Sequence, residues 1–179
     1  MSFDLSIFSI LHSLTGKSAL LDFLIVFFAE YLPYLFLVVL LVFLYKIPRF
    51  RKRVYTFIFF ALSGLVAKGV IVEVVRLFWD RSRPFRALDI VSLVIHHSPA
   101  FPSGHASFLF ALAFAILYFN RSWGYVFLGA AFLNGIARVS AGLHWPSDIV
   151  GGIVTGAVSF GIVYVLLHKY DPDKKKEVG

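Results

Sequence analysis

Long apolar stretches, broken by charge mostly near their ends, leave this chain few folds to choose from. From Ala19 to Tyr45 only Asp22 and Glu30 are charged, and from Tyr55 to Phe78 only Lys68, Glu73 and Arg76. Gly104 to Phe119, Trp123 to Ser140 and Pro146 to His168 are three further apolar runs. Segments of this length suit the hydrocarbon core of a bilayer. Backbone polar groups in lipid must find partners within the segment, which selects helices. The expectation is therefore an all-α, polytopic membrane bundle with about five spanning helices. Ser2 to Leu14 is too short to span and carries Asp4 and His12, so it reads as an N-terminal interfacial helix, followed by a turn at Thr15 to Ser18. One integral-membrane domain over 1–179 is expected, with 1–18 interfacial and 169–179 a basic tail. No signal-peptide pattern opens the chain.

Composition removes other classes. Hydrophobic residues make up 59% of the chain and charged ones 15%, outside the range of an ordinary soluble domain. The net charge of +7 raises the question of nucleic acid, but the basic residues sit in short clusters between apolar runs, which is a topology pattern. The expected partners are the bilayer and a lipid, with no nucleic acid. Cysteine is absent, so disulfides and thiolate chemistry are excluded.

One stretch departs from the apolar pattern in a chemically specific way: Phe101-Pro102-Ser103-Gly104-His105-Ala106-Ser107. Ser103 is a good N-cap for the run that follows. A helix starting there directs free N–H groups and its positive dipole end at whatever lies above Gly104. These residues alone fit either an oxyanion site or a capped helix with an incidental histidine. Two further stretches weigh on the choice. Arg76 precedes Arg83-Pro84 by seven positions, and Arg138 is followed by His144 and Asp148. Counting crossings puts all three stretches on one side of the membrane. Three guanidiniums gathered there repel one another unless an anion bridges them, and bidentate Arg donors suit phosphate oxygens. Asp148, in the first turn of its helix, can reach back to His144 and fix its tautomer; a capping Asp beside an interfacial His is the alternative. Arg81 and Arg86 read as charges snorkelling at helix ends, and His96 and His97 as ordinary loop histidines.

In these motifs the chain resembles the type 2 phosphatidic acid phosphatase superfamily. The family pattern is Lys, six residues, Arg-Pro; then Pro-Ser-Gly-His; then Ser-Arg, five residues, His, three residues, Asp. Arg76 stands where Lys is usual and Ala137 where Ser is usual; every other position matches. The resemblance implies hydrolysis of a phosphomonoester or diphosphate through a phosphohistidine. His144 would attack phosphorus, Asp148 would orient it, and His105 would protonate the leaving oxygen. Arg76, Arg83, Arg138, Ser103 and the Gly104 N–H would hold the phosphoryl oxygens. No His/Asp/Glu cluster has metal-ligand spacing, so neither metal nor other cofactor is expected.

A site at the surface of a membrane bundle implies an anionic lipid as substrate. Small size and compact loops resemble the bacitracin-resistance type within the family, which implies undecaprenyl diphosphate. Phosphatidylglycerophosphate or phosphatidate is the alternative, and a lipid or ion transporter, suggested by Glu30, Lys68 and Glu73, is the alternative of another class. Glu30 and Lys68 each lie roughly 15 Å from the motif-side end of their runs, so they are expected to pair or to face a water-filled cavity. The basic loop Lys46 to Arg53, Arg121, Lys169 and Lys174 to Lys176 fall opposite the motifs, which places the tail in the cytoplasm and the site outside it.

Overall fold

The computed structural model describes residues 3–173, and all its regular elements are helices. The tail lysines Lys174 to Lys176 lie outside the described residues. Helix α1 (Phe3–His12) is short; α2 (Ala19–Tyr45) and α3 (Phe50–Phe78) are long. A single turn, α4 (Pro84–Ala87), lies in the loop before α5 (Gly104–Phe119), α6 (Arg121–Ser140) and α7 (Pro146–Leu167). Of these, α2, α3 and α7 (which a 3-10 turn carries on to Tyr170) are long and apolar enough to cross a membrane. The third helix begins at Phe50 rather than near Tyr55. Arg51, Lys52 and Arg53 thus form its first turn, where Arg53 donates to the Ile47 carbonyl from Nε and Nη2.

The centre of the bundle is α5. It has no Asp, Glu, Lys or Arg, and Leu109, Phe110, Leu112 and Ile116 are wholly enclosed, as expected of a helix apolar on every side. It can be enclosed because α7 approaches it through small residues. A Cβ on Gly152 would fall 2.5 Å from the Ala106 Cβ, and one on Gly156 would fall 2.8 Å from the Ala111 nitrogen. This spacing of four brings two backbones together without a hydrophobic drive, which lipid does not supply. Across the same contact the Ser107 and Thr155 hydroxyls meet at 2.6 Å.

Both α2 and α3 pass through a π-type segment, Phe27–Tyr31 in the first and Val66–Val72 in the second. Such a segment releases carbonyls from the helical ladder and is stable when something else claims them. In α2 the claimants come from α6. Asn134 Nδ2 donates to the Phe28 and Ala29 carbonyls at 2.7 and 2.9 Å, and Arg138 Nη1 donates to the Ala29 carbonyl at 3.0 Å. The irregularity in α2 also anchors one of the arginines singled out from the sequence.

Helix α1 lies across one end of the bundle with one face outward: Phe3 and Ile10 are exposed and Phe8 is buried. Phe8 stacks on His12 and packs on Trp145, while His12 Nδ1 and the Thr15 hydroxyl both bond to the Ser140 carbonyl. The interfacial helix is thereby docked on the turn that links α6 to α7. Gly142, at φ +82°, makes that turn in the left-handed region.

Candidate active site

Four helix ends and one loop meet beneath α1. The C-terminal turns of α3 and α6 bring Arg76 and Arg138, the N-terminal turns of α5 and α7 bring His105 and Asp148, and the loop before α5 brings Arg81 and Arg83. Ser103 caps α5 as its spacing predicts, with its hydroxyl facing the Ala106 N–H at 3.5 Å.

His144 is enclosed at 1% exposure. Its Nδ1 faces Asp148 Oδ2 at 3.4 Å and its Nε2 faces Arg83 Nη1 at 3.3 Å. Burial first, then the charges of Arg138 and Arg83, hold the imidazole well below the usual histidine range. It is therefore neutral at pH 7, with a lone pair on one ring nitrogen. Asp148 is fully buried and accepts from the Trp145 N–H at 2.8 Å.

The three arginines differ in how they are held. Arg138, 1% exposed, pairs with Glu30 at 3.0 Å, and Arg76 lies 3.4 Å from Glu73 and donates to the Pro102 carbonyl. Arg83 is 3% exposed and has no carboxylate partner among the described residues. Its guanidinium rests on the Ser98 and Leu143 carbonyls, the Ser98 hydroxyl and His144. Burial, then Arg138 and Arg76, push its pKa down to about 10, so it stays charged at neutral pH. A buried guanidinium facing a neutral imidazole, without a carboxylate partner among the described residues, has the charge to attract an anion.

Three expectations change. Glu30 does not pair with Lys68. It binds Arg138, and His96 Nε2 lies 3.0 Å from the same oxygen. Equal depth is one coordinate of two; the helices are rotated so that Glu30 faces α6 while Lys68 flanks Gly104. Arg81 is not a snorkelling helix-end charge. It bridges Asp148 and Asp4 at 2.7 Å each, and Asp4 also accepts from the Ser147 N–H and hydroxyl. Burial opposes ionisation of Asp4, but bonds from Ser147 and Arg81 outweigh it and lower its pKa. His96, read as an ordinary loop histidine, lies with its ring 6.3 Å from that of His105. No spacing in the sequence marks Asp4, Arg81 or His96, because each acts through a partner far along the chain. The intramembrane charges Glu30, Lys68 and Glu73 all converge on this end, which removes the motive for a transport path.

The family model described as "PAP2 superfamily" matches residues 57–171. The chain is 31% identical over 160 residues to undecaprenyl-diphosphatase BcrC of Bacillus subtilis (strain 168), covering 88% of this chain and 80% of that one. It is 28% identical over 163 residues to the bacitracin transport permease protein BcrC of Bacillus licheniformis, covering 90% and 79%. Among solved structures, Aquifex aeolicus LpxE superposes with a TM-score of 0.73 at 26% identity, over 91% of this chain and 95% of that one.

Proposed function

This chain belongs to the PAP2 superfamily of membrane lipid phosphatases, and we propose that it converts undecaprenyl diphosphate to undecaprenyl phosphate through a phosphohistidine. The observation that carries the reading is the buried Arg83 guanidinium, without a carboxylate partner among the described residues, 3.3 Å from the neutral His144 Nε2. A terminal phosphoryl group held by Arg83, Arg76, Arg138 and the Gly104 N–H puts phosphorus in line with that nitrogen. The Nε2–P bond forms as the bond from phosphorus to the bridging oxygen breaks. The electron pair goes to the bridging oxygen and His105 supplies a proton there. Water then attacks phosphorus, gives a proton to His105, and the P–N bond breaks to release phosphate and regenerate His144. Asp148, whose Oδ2 faces Nδ1 at 3.4 Å, orients the ring and stabilises the imidazolium character that develops. Cationic side chains thus supply the charge stabilisation that phosphoryl transfer depends on. A groove of about 580 Å³, lined by Phe3, Ile7, Val75, Phe101, Val150 and Val154, runs beside Pro102 and Ser147 and suits an apolar tail.

Phosphate release from a panel of purified lipids is the test. Undecaprenyl diphosphate is expected to be turned over fastest, in EDTA as well as without it, with inhibition by vanadate. His144→Ala is expected to remove turnover and with it an acid-labile, alkali-stable phosphoenzyme. Preferential hydrolysis of phosphatidylglycerophosphate or phosphatidate would move the substrate to a glycerophospholipid. Full activity in well-folded His144→Ala would end the phosphohistidine reading.

A further inference from the structure

We propose that Lys68 binds the phosphate that leaves with the lipid, and so sets a preference for diphosphates over monophosphate esters. The proposal rests on the reading above and concerns a residue that the family motifs do not include.

Lys68 lies in the π-type segment of α3, roughly 15 Å from the helix end at Phe78. A lysine at that depth cannot bring its ammonium to the interface by snorkelling, and an ionised group left in a span without a partner is unfavourable. Lys68 is exposed, and it makes no hydrogen bond or ion pair with any described residue. Its cationic neighbours are held: Arg76, Arg81 and Arg138 each face a carboxylate, and Arg83 donates to carbonyls, a hydroxyl and His144. What places Lys68 at the site is Gly104. A Cβ there would lie 3.9 Å from Lys68 Cγ and 3.7 Å from Arg76 Nη2. The two cations thus flank the start of α5, Arg76 from the membrane surface and Lys68 from the bilayer.

The charges around the two histidines separate the roles. Those acting on His105 are, in order, Arg138, Lys68, His96 and Arg83. Those acting on His144 are Arg138, Arg83, His105 and Arg76, with Lys68 absent. With its Cγ beside Gly104, the residue before His105, Lys68 borders the proposed proton donor rather than the nucleophile. In a diphosphate, the oxygen released from the reacting phosphorus belongs to a second phosphate joined to that tail. That phosphate gains negative charge as the bridge breaks, and an ammonium beside His105 can neutralise it. A monophosphate ester releases an alcohol, which needs the proton from His105 and offers Lys68 no phosphate to hold.

The experiment compares wild type, Lys68→Met and Lys68→Arg in detergent. The probes are a prenyl diphosphate, the monophosphate of the same chain, its non-hydrolysable methylenediphosphonate, and orthovanadate. Lys68→Met is expected to lower kcat/KM for the diphosphate and raise Ki for the diphosphonate by about tenfold or more, the scale of one charge-assisted contact. Vanadate, which occupies only the reacting phosphoryl position, should keep its Ki within about twofold, and Lys68→Arg should recover most of the loss. If Lys68→Met leaves diphosphonate binding unchanged, or weakens vanadate equally, the role of Lys68 is overturned while the phosphatase reading stands. Wild type that hydrolyses neither prenyl substrate would overturn both.

Discussion

At the scale of single residues, the site is two histidines tuned by what surrounds them. His144 is neutral because burial and the flanking arginines disfavour its proton, and the sign of the consequence follows directly. A base whose pKa is lowered keeps its lone pair at pH values where a free imidazole, near 6.5, is already protonated. The acid limb of kcat/KM, which reports the free enzyme, is expected below about pH 6.5. A limb clearly above that value would mean that another group, or a charged His144, governs activity. Arg81 is expected to act as a positioning residue. Arg81→Ala strips the buried Asp148 of its guanidinium, and kcat should fall roughly ten- to hundredfold, the scale seen when an outer partner of a site group is removed. KM should be nearly unchanged, because Arg81 is bonded to Asp148, Asp4 and Ser147 rather than aimed at substrate. A rise in KM with kcat intact would make Arg81 a substrate ligand instead. The His144–Asp148 facing was legible in the sequence, since four residues at the start of a helix fix it locally. The Arg81–Asp148 and Glu30–Arg138 pairs were not, because tertiary packing joins elements 67 and 108 positions apart.

At the scale of elements, hydropathy located the helices to within a few residues, but their internal irregularities depended on neighbours. The π-type segment over Phe27–Tyr31 has no sequence signal of its own. It persists because Asn134 and Arg138 on α6 accept the role that a regular helical N–H would have played. Asn134→Leu keeps the volume and removes both amide donors. The Ala29 carbonyl retains Arg138, while the Phe28 carbonyl loses the contact that Asn134 gives it. The expected loss is about 1–2 kcal/mol, between the cost of an orphaned buried acceptor and the smaller values measured for polar contacts within membranes. Unfolding in mixed micelles with increasing SDS measures it. Because Arg138 is anchored on one of these carbonyls, that of Ala29, activity should fall in the folded variant as well. Loss of stability with unchanged turnover would separate the π-type segment from the site.

At the scale of the whole molecule, the question is which side of the membrane the chemistry faces. Lys46 and Arg49 lie between α2 and α3, running into Arg51, Lys52 and Arg53 in the first turn of α3; Arg121 opens α6 at the α5–α6 turn, and Lys169 follows α7. A cavity lined by Lys46, Arg49, Lys52, Asn120 and Trp123 brings the first two of these segments together at one end of the bundle. Asp173 binds Arg49 and Lys52 there, so the third segment joins them. The other end holds the site, where Arg76, Arg81, Arg83 and Arg138 are engaged by carboxylates, carbonyls or His144 and so are not free topology signals. Positive charge in short loops marks the cytoplasmic face. The basic end is therefore expected in the cytoplasm and the site on the opposite surface, where a carrier lipid diphosphate is exposed once it has released its cargo. The chain has no native cysteine, so single substitutions report cleanly. Ser82→Cys and Arg51→Cys are both at exposed positions, on the site end and the basic end respectively. In intact cells, with any outer membrane opened, a membrane-impermeant maleimide is expected to label the first and spare the second until the cytoplasmic membrane is broken. Labelling of Arg51→Cys alone would invert the molecule and put its substrate in the inner leaflet, where recycling of a spent carrier does not begin.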